Sequence, residues 1–150
     1  MKAPGPGTAA MTTEANKALL RHYKTDILNT RDIEALNQVA APGYLDHAAF
    51  PGQAPGLEGL KQRAATLFRA LDPQWTIHDA IAEDDLVVLR WSLTGTHRGE
   101  FLGIPPTGKT FVLRGIDMYR VQDGKIAEHW NVADMLGFCQ QVGALPSPAR

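Results

Sequence analysis

The chain has 150 residues, 44% of them hydrophobic and 21% charged, an ordinary balance for one soluble domain with a substantial core. Fifteen basic and sixteen acidic residues leave a net charge of −1, and their mixing along the chain gives no footprint for nucleic acid or an anionic membrane. The single cysteine, Cys139, excludes an internal disulfide and fits a reducing compartment, and no apolar run nears the roughly 18 residues of a membrane span.

The N-terminal MKAPGPGTAA lacks the apolar core of a signal peptide, so a cytoplasmic location is expected. Its Gly, Pro and Ala content predicts a disordered extension over 1–11, with Met11 a candidate start, ahead of one domain over 12–145 and a tail at 146–150. Thr12 or Thr13 can cap a helix running to about Asn29, with Leu19, Leu20, Tyr23 and Ile27 on one face. A shorter helix is expected from about Asp32 to Ala40, ended by Pro42-Gly43, after which Tyr44–His47 leads into a loop rich in Pro and Gly. Leu57, Leu60, Ala64, Leu67, Phe68 and Leu71 then form one stripe of a third helix, stopped by Asp72-Pro73.

Strands follow. Gln74–Ala82 is separated by an acidic turn at Glu83–Asp85 from Leu86–Thr96, where Val87, Leu89, Trp91 and Leu93 alternate with Val88, Arg90, Ser92 and Thr94. Arg98–Thr107 is a long loop whose Pro105-Pro106 belongs outside any central ladder. Arg114–Asp134 reads as a hairpin turning at Asp123-Gly124, and Met135–Val142 as a short closing helix. Helices first and antiparallel strands after them predict an α+β fold.

The hairpin holds the densest set of chemical groups: Asp117, Tyr119, Glu128, His129, Trp130, Asn131 and Asp134. A two-residue loop would set Asp117 opposite Trp130. A three-residue loop, Gln122–Gly124 with a bulge, would set Asp117 opposite His129 and Gly115 opposite Asn131. The three-residue loop is preferred, because it gathers Leu113, Gly115, Asp117, Tyr119, Ala127, His129 and Asn131 on one mostly apolar face suited to a small-molecule pocket. On that face Asp117 and His129 form either an acid/base pair tuned by burial and by each other, or a hydrogen bond that only holds the hairpin. Asp134 directly precedes the final helix and reads as its N-cap or as a carboxylate base. Trp91 and Tyr119 pack against substrate or core. His97 stands where a strand enters the Pro-rich loop, at the rim of such a pocket. His22 and His78 are expected at the surface. The histidine spacings match no metal site, no nucleotide-binding glycine motif or GxSxG occurs, and neither metal nor cofactor is called for.

Phe101–Lys109 (FLGIPPTGK), the GIDMYRVQDGKIAEHW hairpin, Asp134 and the closing QQVGAL, with Tyr44–His47, Gly56–Lys61 and Gly95–His97 upstream, resemble the SnoaL-like polyketide cyclases of the NTF2-like superfamily over about residues 14–145. The resemblance implies a cone: a strongly curved antiparallel sheet wrapped by about three N-terminal helices around an interior pocket. It implies a homo-oligomer, dimer or tetramer, and a polar pocket residue at His47. It further implies cofactor-independent acid/base chemistry on a carbonyl-rich, polyketide-type small molecule, typically intramolecular aldol closure. Cyclases of this type carry an aspartate just after the Trp of the last strand, where this chain has Asn131, and an amide cannot take a proton from carbon. The base then moves to Asp117 or Asp134, with His129 as acid or orienter and Asn131 holding an enolate oxygen. Otherwise the chemistry changes, to that of a hydroxylase, hydrolase or isomerase in the same pocket. A non-catalytic small-molecule-binding module is the alternative from another class. Asp117 facing a cavity beside His129 favours catalysis, and Asp117 turned outward to Arg120 favours the module.

Overall fold

Thr12 opens the first helix with an extended backbone, its Oγ1 accepting the N–H of Ala15 at 3.0 Å. The computed structural model describes residues 12–147, so the expected disordered extension over 1–11 and the end of the tail lie outside the described residues. Helix α1 (Thr13–Arg21) runs directly into a π-helical stretch, His22–Leu28, in which the hydrogen-bond ladder widens by a residue. The pair spans the expected first helix. Leu20, Tyr23, Lys24, Ile27 and Leu28 are its buried stripe, a lysine among apolar side chains.

The second expected helix is cut short. Only Leu36–Val39 is helical (α2), and Ala40–Asp46 is a strand, β1, instead of a helix end and a loop. Pro42-Gly43 therefore lies inside a strand and does not terminate a helix. The strand tolerates it because β1 is at the sheet edge and its register breaks between Ala40 and Leu45, where the missing N–H of Pro42 costs no ladder bond. Helix α3 (Gly56–Leu71) ends at Asp72 in the left-handed region, φ 45°. The strands β2 (Gln74–Glu83), β3 (Leu86–Thr96), β4 (Thr110–Gln122) and β5 (Lys125–Ala133) and helix α4 (Met135–Val142) lie where the patterning puts them.

The sheet order is β1-β5-β4-β3-β2. Strands β2 to β5 pair antiparallel, whereas β1 pairs parallel with β5, so the sheet is mixed and not purely antiparallel. The parallel pair sets Asp46 beside His129.

The preferred three-residue turn is not formed. Asp123 (φ 51°) and Gly124 (φ 72°) make a two-residue loop with both φ values positive, as a type I′ turn requires, and Gln122 pairs with Lys125. Ala127 is then an extra residue: Val121 pairs with Ile126 but Arg120 with Glu128. Asp117 consequently faces Asn131, Tyr119 faces His129 and Gly115 faces Ala133. The expected opposed pairs are wrong, but the bulge restores the parity that the shorter turn would have lost. Asp117, Tyr119, His129 and Asn131 thus share a face after all.

That inner face, with Val87, Leu89, Trp91 and Leu93 of β3 and Leu113 and Tyr119 of β4, is buried, as are Leu20 and Ile27 before it and Leu60, Ala64 and Leu71 of α3. Each fully buried Leu or Val contributes about 1.5–3 kcal/mol. Ile81, Ile116 and Val132 stay exposed on the opposite face, and His22 and His78 are at the surface as expected. Among the described residues no helix is long and apolar enough to cross a membrane.

Candidate active site

Between the inner sheet face, the first helix and α3 the side chains leave a cavity of about 420 Å³. Its walls are mostly apolar, with Leu60, Leu67, Trp75, Trp91, Leu93 and Leu113 in the body and Phe50 and Phe101 from loops. A few polar side chains converge on it: Tyr23, Lys24, Arg63, Asp117, Tyr119, His129 and Asn131. An apolar pocket with a handful of placed polar groups is the make-up of a small-molecule site.

Asp117 is the hub of these groups and is 1% exposed. Its Oδ2 accepts the Tyr119 hydroxyl at 2.7 Å and lies 2.9 Å from the Lys24 ammonium. Its Oδ1 accepts the Asn131 amide N–H at 2.6 Å and is 3.3 Å from His129 Nε2. Burial by itself would raise the Asp117 carboxyl, but the charge of Lys24, the neighbouring His129 when its ring is protonated and the Asn131 amide outweigh it and hold the group well below the usual carboxylate range. Such a carboxylate is a strong acceptor and a poor proton base. Burial together with Asp117 raises the Tyr119 hydroxyl well above its ordinary value, which keeps it a donor.

His129 is held from its other edge. Its Nδ1 lies 3.0 Å from Asp46 Oδ1, and Asp46 Oδ2 accepts from Gln53 Nε2 at 3.0 Å with Arg63 at 3.8 Å. Burial opposes the charge on Asp46, but the hydrogen bonds from His129 and Gln53 and the nearby Arg63 prevail and pull the carboxyl far down. With an ionised carboxylate on Nδ1, the neutral imidazole carries its proton there and presents the Nε2 lone pair. The Nε2 atom is buried and makes no hydrogen bond, although an Asp117 oxygen lies 3.3 Å away. Tyr119 and Tyr44, from the strands on either side of β5, stack on the ring at centroid distances of 4.8 and 6.4 Å and fix its plane. Trp91 Nε1 on the cavity wall is likewise buried without a partner.

Leu113, Trp91, Tyr119, Asp117, His129 and Asn131 all come together on this cavity as the sequence predicts. Three expected residues do not. Asp134 caps α4, its Oδ1 accepting the Gly137 N–H at 2.9 Å, and does not line the cavity, because it follows the end of β5 on the outward side. His47 is exposed beyond the end of β1, stacked on Trp130 at 4.9 Å with Nε2 2.7 Å from Glu128, which belongs to the other face of β5. His97 is buried against Phe138, with Nδ1 3.1 Å from Thr107 Oγ1, and packs under the Pro-rich loop away from the pocket. Arg120 is engaged by Asp85 and Glu128, so Asp117 faces inward and not toward it.

Lys24, Asp46, Arg63 and Tyr23 went unrecognised in the sequence. Lys24 could have been found, since it interrupts the apolar stripe Leu20, Tyr23, Ile27, Leu28 four residues after Leu20. Arg63 likewise directly precedes Ala64 on the α3 stripe. Nothing short-range marks Asp46, whose position follows from a parallel pairing across the length of the chain.

A carbonyl compound in this cavity would meet an imidazole oriented to accept a proton, a fixed anion beside it, and donors from Asn131, Tyr23 and Trp91. Proton transfer at carbon next to a carbonyl needs these parts.

The SnoaL-like polyketide cyclase family model matches residues 17–142. The chain is 29% identical over 120 residues to the aklanonic acid methyl ester cyclase DnrD of Streptomyces peucetius, covering 79% of this chain and 78% of that protein. The structure of TsrD from Streptomyces laurentii superposes with a TM-score of 0.82 at 29% identity, over 90% of this chain and 99% of that one. AclR of Streptomyces galilaeus, whose proposed activity is hydroxylation, superposes with a TM-score of 0.78 at 26% identity, over 93% and 87% of the two chains. The cavity, the mixed sheet that builds it and the match along most of the sequence agree: the chain belongs to the SnoaL-like polyketide cyclase family, within the NTF2-like superfamily.

Proposed function

We propose that the protein catalyses intramolecular aldol closure of a carbonyl-rich polyketide ester, with His129 as the base. The observation that carries this reading is the His129 imidazole, anchored by Asp46 on Nδ1 and unpartnered at Nε2 on the wall of an apolar cavity. Flanking carbonyls acidify the substrate C–H, so a single oriented imidazole suffices. Asp117, ionised and adjacent, stabilises the imidazolium that forms, and the imidazolium returns the proton to the new alkoxide after ring closure. Asn131, with one amide N–H on Asp117 and one to spare, and the Tyr23 hydroxyl support the developing enolate oxygen. Asn131 in place of a carboxylate is then no defect, because the acid/base function sits one turn of the alternation earlier, on His129.

The substrate class follows the similarity to the aklanonic acid methyl ester cyclase. Aklanonic acid methyl ester in D₂O is the first test: deuterium should enter the carbon between carbonyls and a cyclised product should form, both lost in His129→Gln. Binding without exchange would point to a carrier module. Oxygen consumption with a hydroxylated product would point to the hydroxylase alternative that the likeness to AclR supports.

We also read the sheet as the curved cone of the superfamily. Bulges at His78 in β2 and at Ala127 in β5 support this, since each bends its strand. The exposed Ile81, Ile116 and Val132 on the outer face support a homodimer, to be tested by sedimentation against the 16.3 kDa chain mass.

A further inference from the structure

Lys24 is left without a step by this acid/base reading. Its side chain is 7% exposed, lines the cavity, and holds Nζ 2.9 Å from Asp117 Oδ2. The rings of Tyr23, Trp75, Trp91 and Tyr119 surround the nitrogen, with centroids 5.3–5.9 Å away. An ammonium here has exchanged its hydration for four aromatic faces and a single carboxylate. Burial lowers its proton affinity, with Asp117 opposing. A released proton also has an acceptor at hand, because Asp117 spans from Nζ on one oxygen to His129 Nε2, 3.3 Å from the other.

The geometry points to Lys24 as a nucleophilic amine that captures a substrate carbonyl as an imine, so that the aldol step runs through an enamine in place of the free enolate. The Nζ proton is taken up by His129, with Asp117 stabilising first the ammonium and then the imidazolium, which leaves the neutral amine. The amine lone pair forms the C–N bond while the carbonyl π bond opens, and the carbinolamine loses water with the proton that His129 returns. The iminium draws electrons from the neighbouring C–H, whose proton goes to His129. The resulting enamine carbon attacks the second carbonyl to close the ring, and His129 gives the proton it took from carbon to the alkoxide that forms. Water then adds back and expels Lys24, so atoms and electrons balance with no external oxidant or reductant. A structural ion pair would use the cation of Lys24 only, and this role uses its lone pair. The inference rests on the reading that the cavity receives a carbonyl compound.

The test is reductive trapping of the intact protein with 2-butanone and sodium cyanoborohydride, followed by peptide mass mapping. One adduct on Lys24, with Lys17, Lys61, Lys109 and Lys125 unmodified, is the expected result. Lys24→Arg keeps a cation beside Asp117 but cannot form an imine, and it should lose both the adduct and turnover of aklanonic acid methyl ester. No adduct on Lys24, labelling spread over the other lysines, or wild-type turnover by Lys24→Arg would each overturn the inference. Turnover by the wild type without trapping removes the amine and leaves the cyclase reading standing. An adduct without cyclisation keeps the amine and removes the cyclase reading. The mapping on unaltered protein decides the matter even if the variant folds poorly.

Discussion

Asp46 Oδ1 and His129 Nδ1 lie 3.0 Å apart although 83 residues separate them, joined because β1 runs parallel beside β5. The carboxylate fixes the tautomer that leaves Nε2 as the acceptor. Asp46→Asn should therefore lower kcat by about 10²-fold or more with little change in KM, and His129→Gln should cost about 10²–10⁴-fold. Steady-state kinetics on the methyl ester, with circular dichroism to confirm folding, checks both. Equal kcat in Asp46→Asn and wild type would remove His129 from the role of base.

Asp117 and Lys24 are buried together, so cutting one strands the other. Asp117→Asn should destabilise the fold by about 3–5 kcal/mol, because the ammonium then has no counter-charge in an apolar wall. Adding Lys24→Met should recover most of the loss, since a neutral pair of similar volume needs no compensation. Urea unfolding of the two single variants and the double variant gives the coupling energy. Additive losses would mean that the two side chains do not depend on each other.

The carboxyls of Asp46 and Asp117 are both held below their ordinary range in the folded state. At a pH near the unfolded carboxylate value of about 4, the unfolded chain then binds more protons than the folded one, so stability rises with pH there. Their contribution is complete above that value and is lost as the pH falls through and below it. Urea midpoints between pH 6 and pH 3 should drop steeply for the wild type and less steeply for Asp46→Asn. Parallel curves would show that Asp46 titrates alike in both states.

A methyl group at Gly115 would stand 2.3 Å from Trp91 Cζ2, so the indole rests on the space that this glycine leaves. Gly115→Ala should cost about 1–3 kcal/mol and push Trp91 into the cavity. Thermal unfolding and the tryptophan emission maximum should shift together. A wild-type melting temperature would mean that the ring moves freely.

His47 pairs with Glu128 and stacks on Trp130 at the surface. His47→Ala should leave turnover unchanged and alter stability by less than about 1 kcal/mol. A tenfold loss of activity would bring that loop into the site.

Much of the fold was legible because short-range rules decide it. The α3 stripe, the alternation of β3 and the Asp123-Gly124 turn each follow from spacing within a few residues. The strand β1 was not, because Pro42-Gly43 is a strong breaker signal that an edge position neutralises, and edge position is a tertiary property. The site divided along the same line. Asp117, His129 and Asn131 share one hairpin face and could be grouped from its alternation. Asp46 and Lys24 reach them only through β1 pairing and helix packing. Asp134 offered a carboxylate in sequence proximity, but its backbone position favoured the cap.

Ala127 bears on how this pocket could change over time. It is one surplus residue in β5, and everything after it faces as it does because the bulge absorbs it. Were the bulge ironed out with every residue kept, Arg120 would pair with Ala127, and Trp130 would swing inward while His129 and Asn131 swung out. An imidazole and an amide would be exchanged for an indole with no substitution at any site position. Loss of the Ala127 codon would instead leave Arg120 opposite Glu128 and His129 opposite Tyr119, so a gene encoding this strand can shorten it there without touching its chemistry.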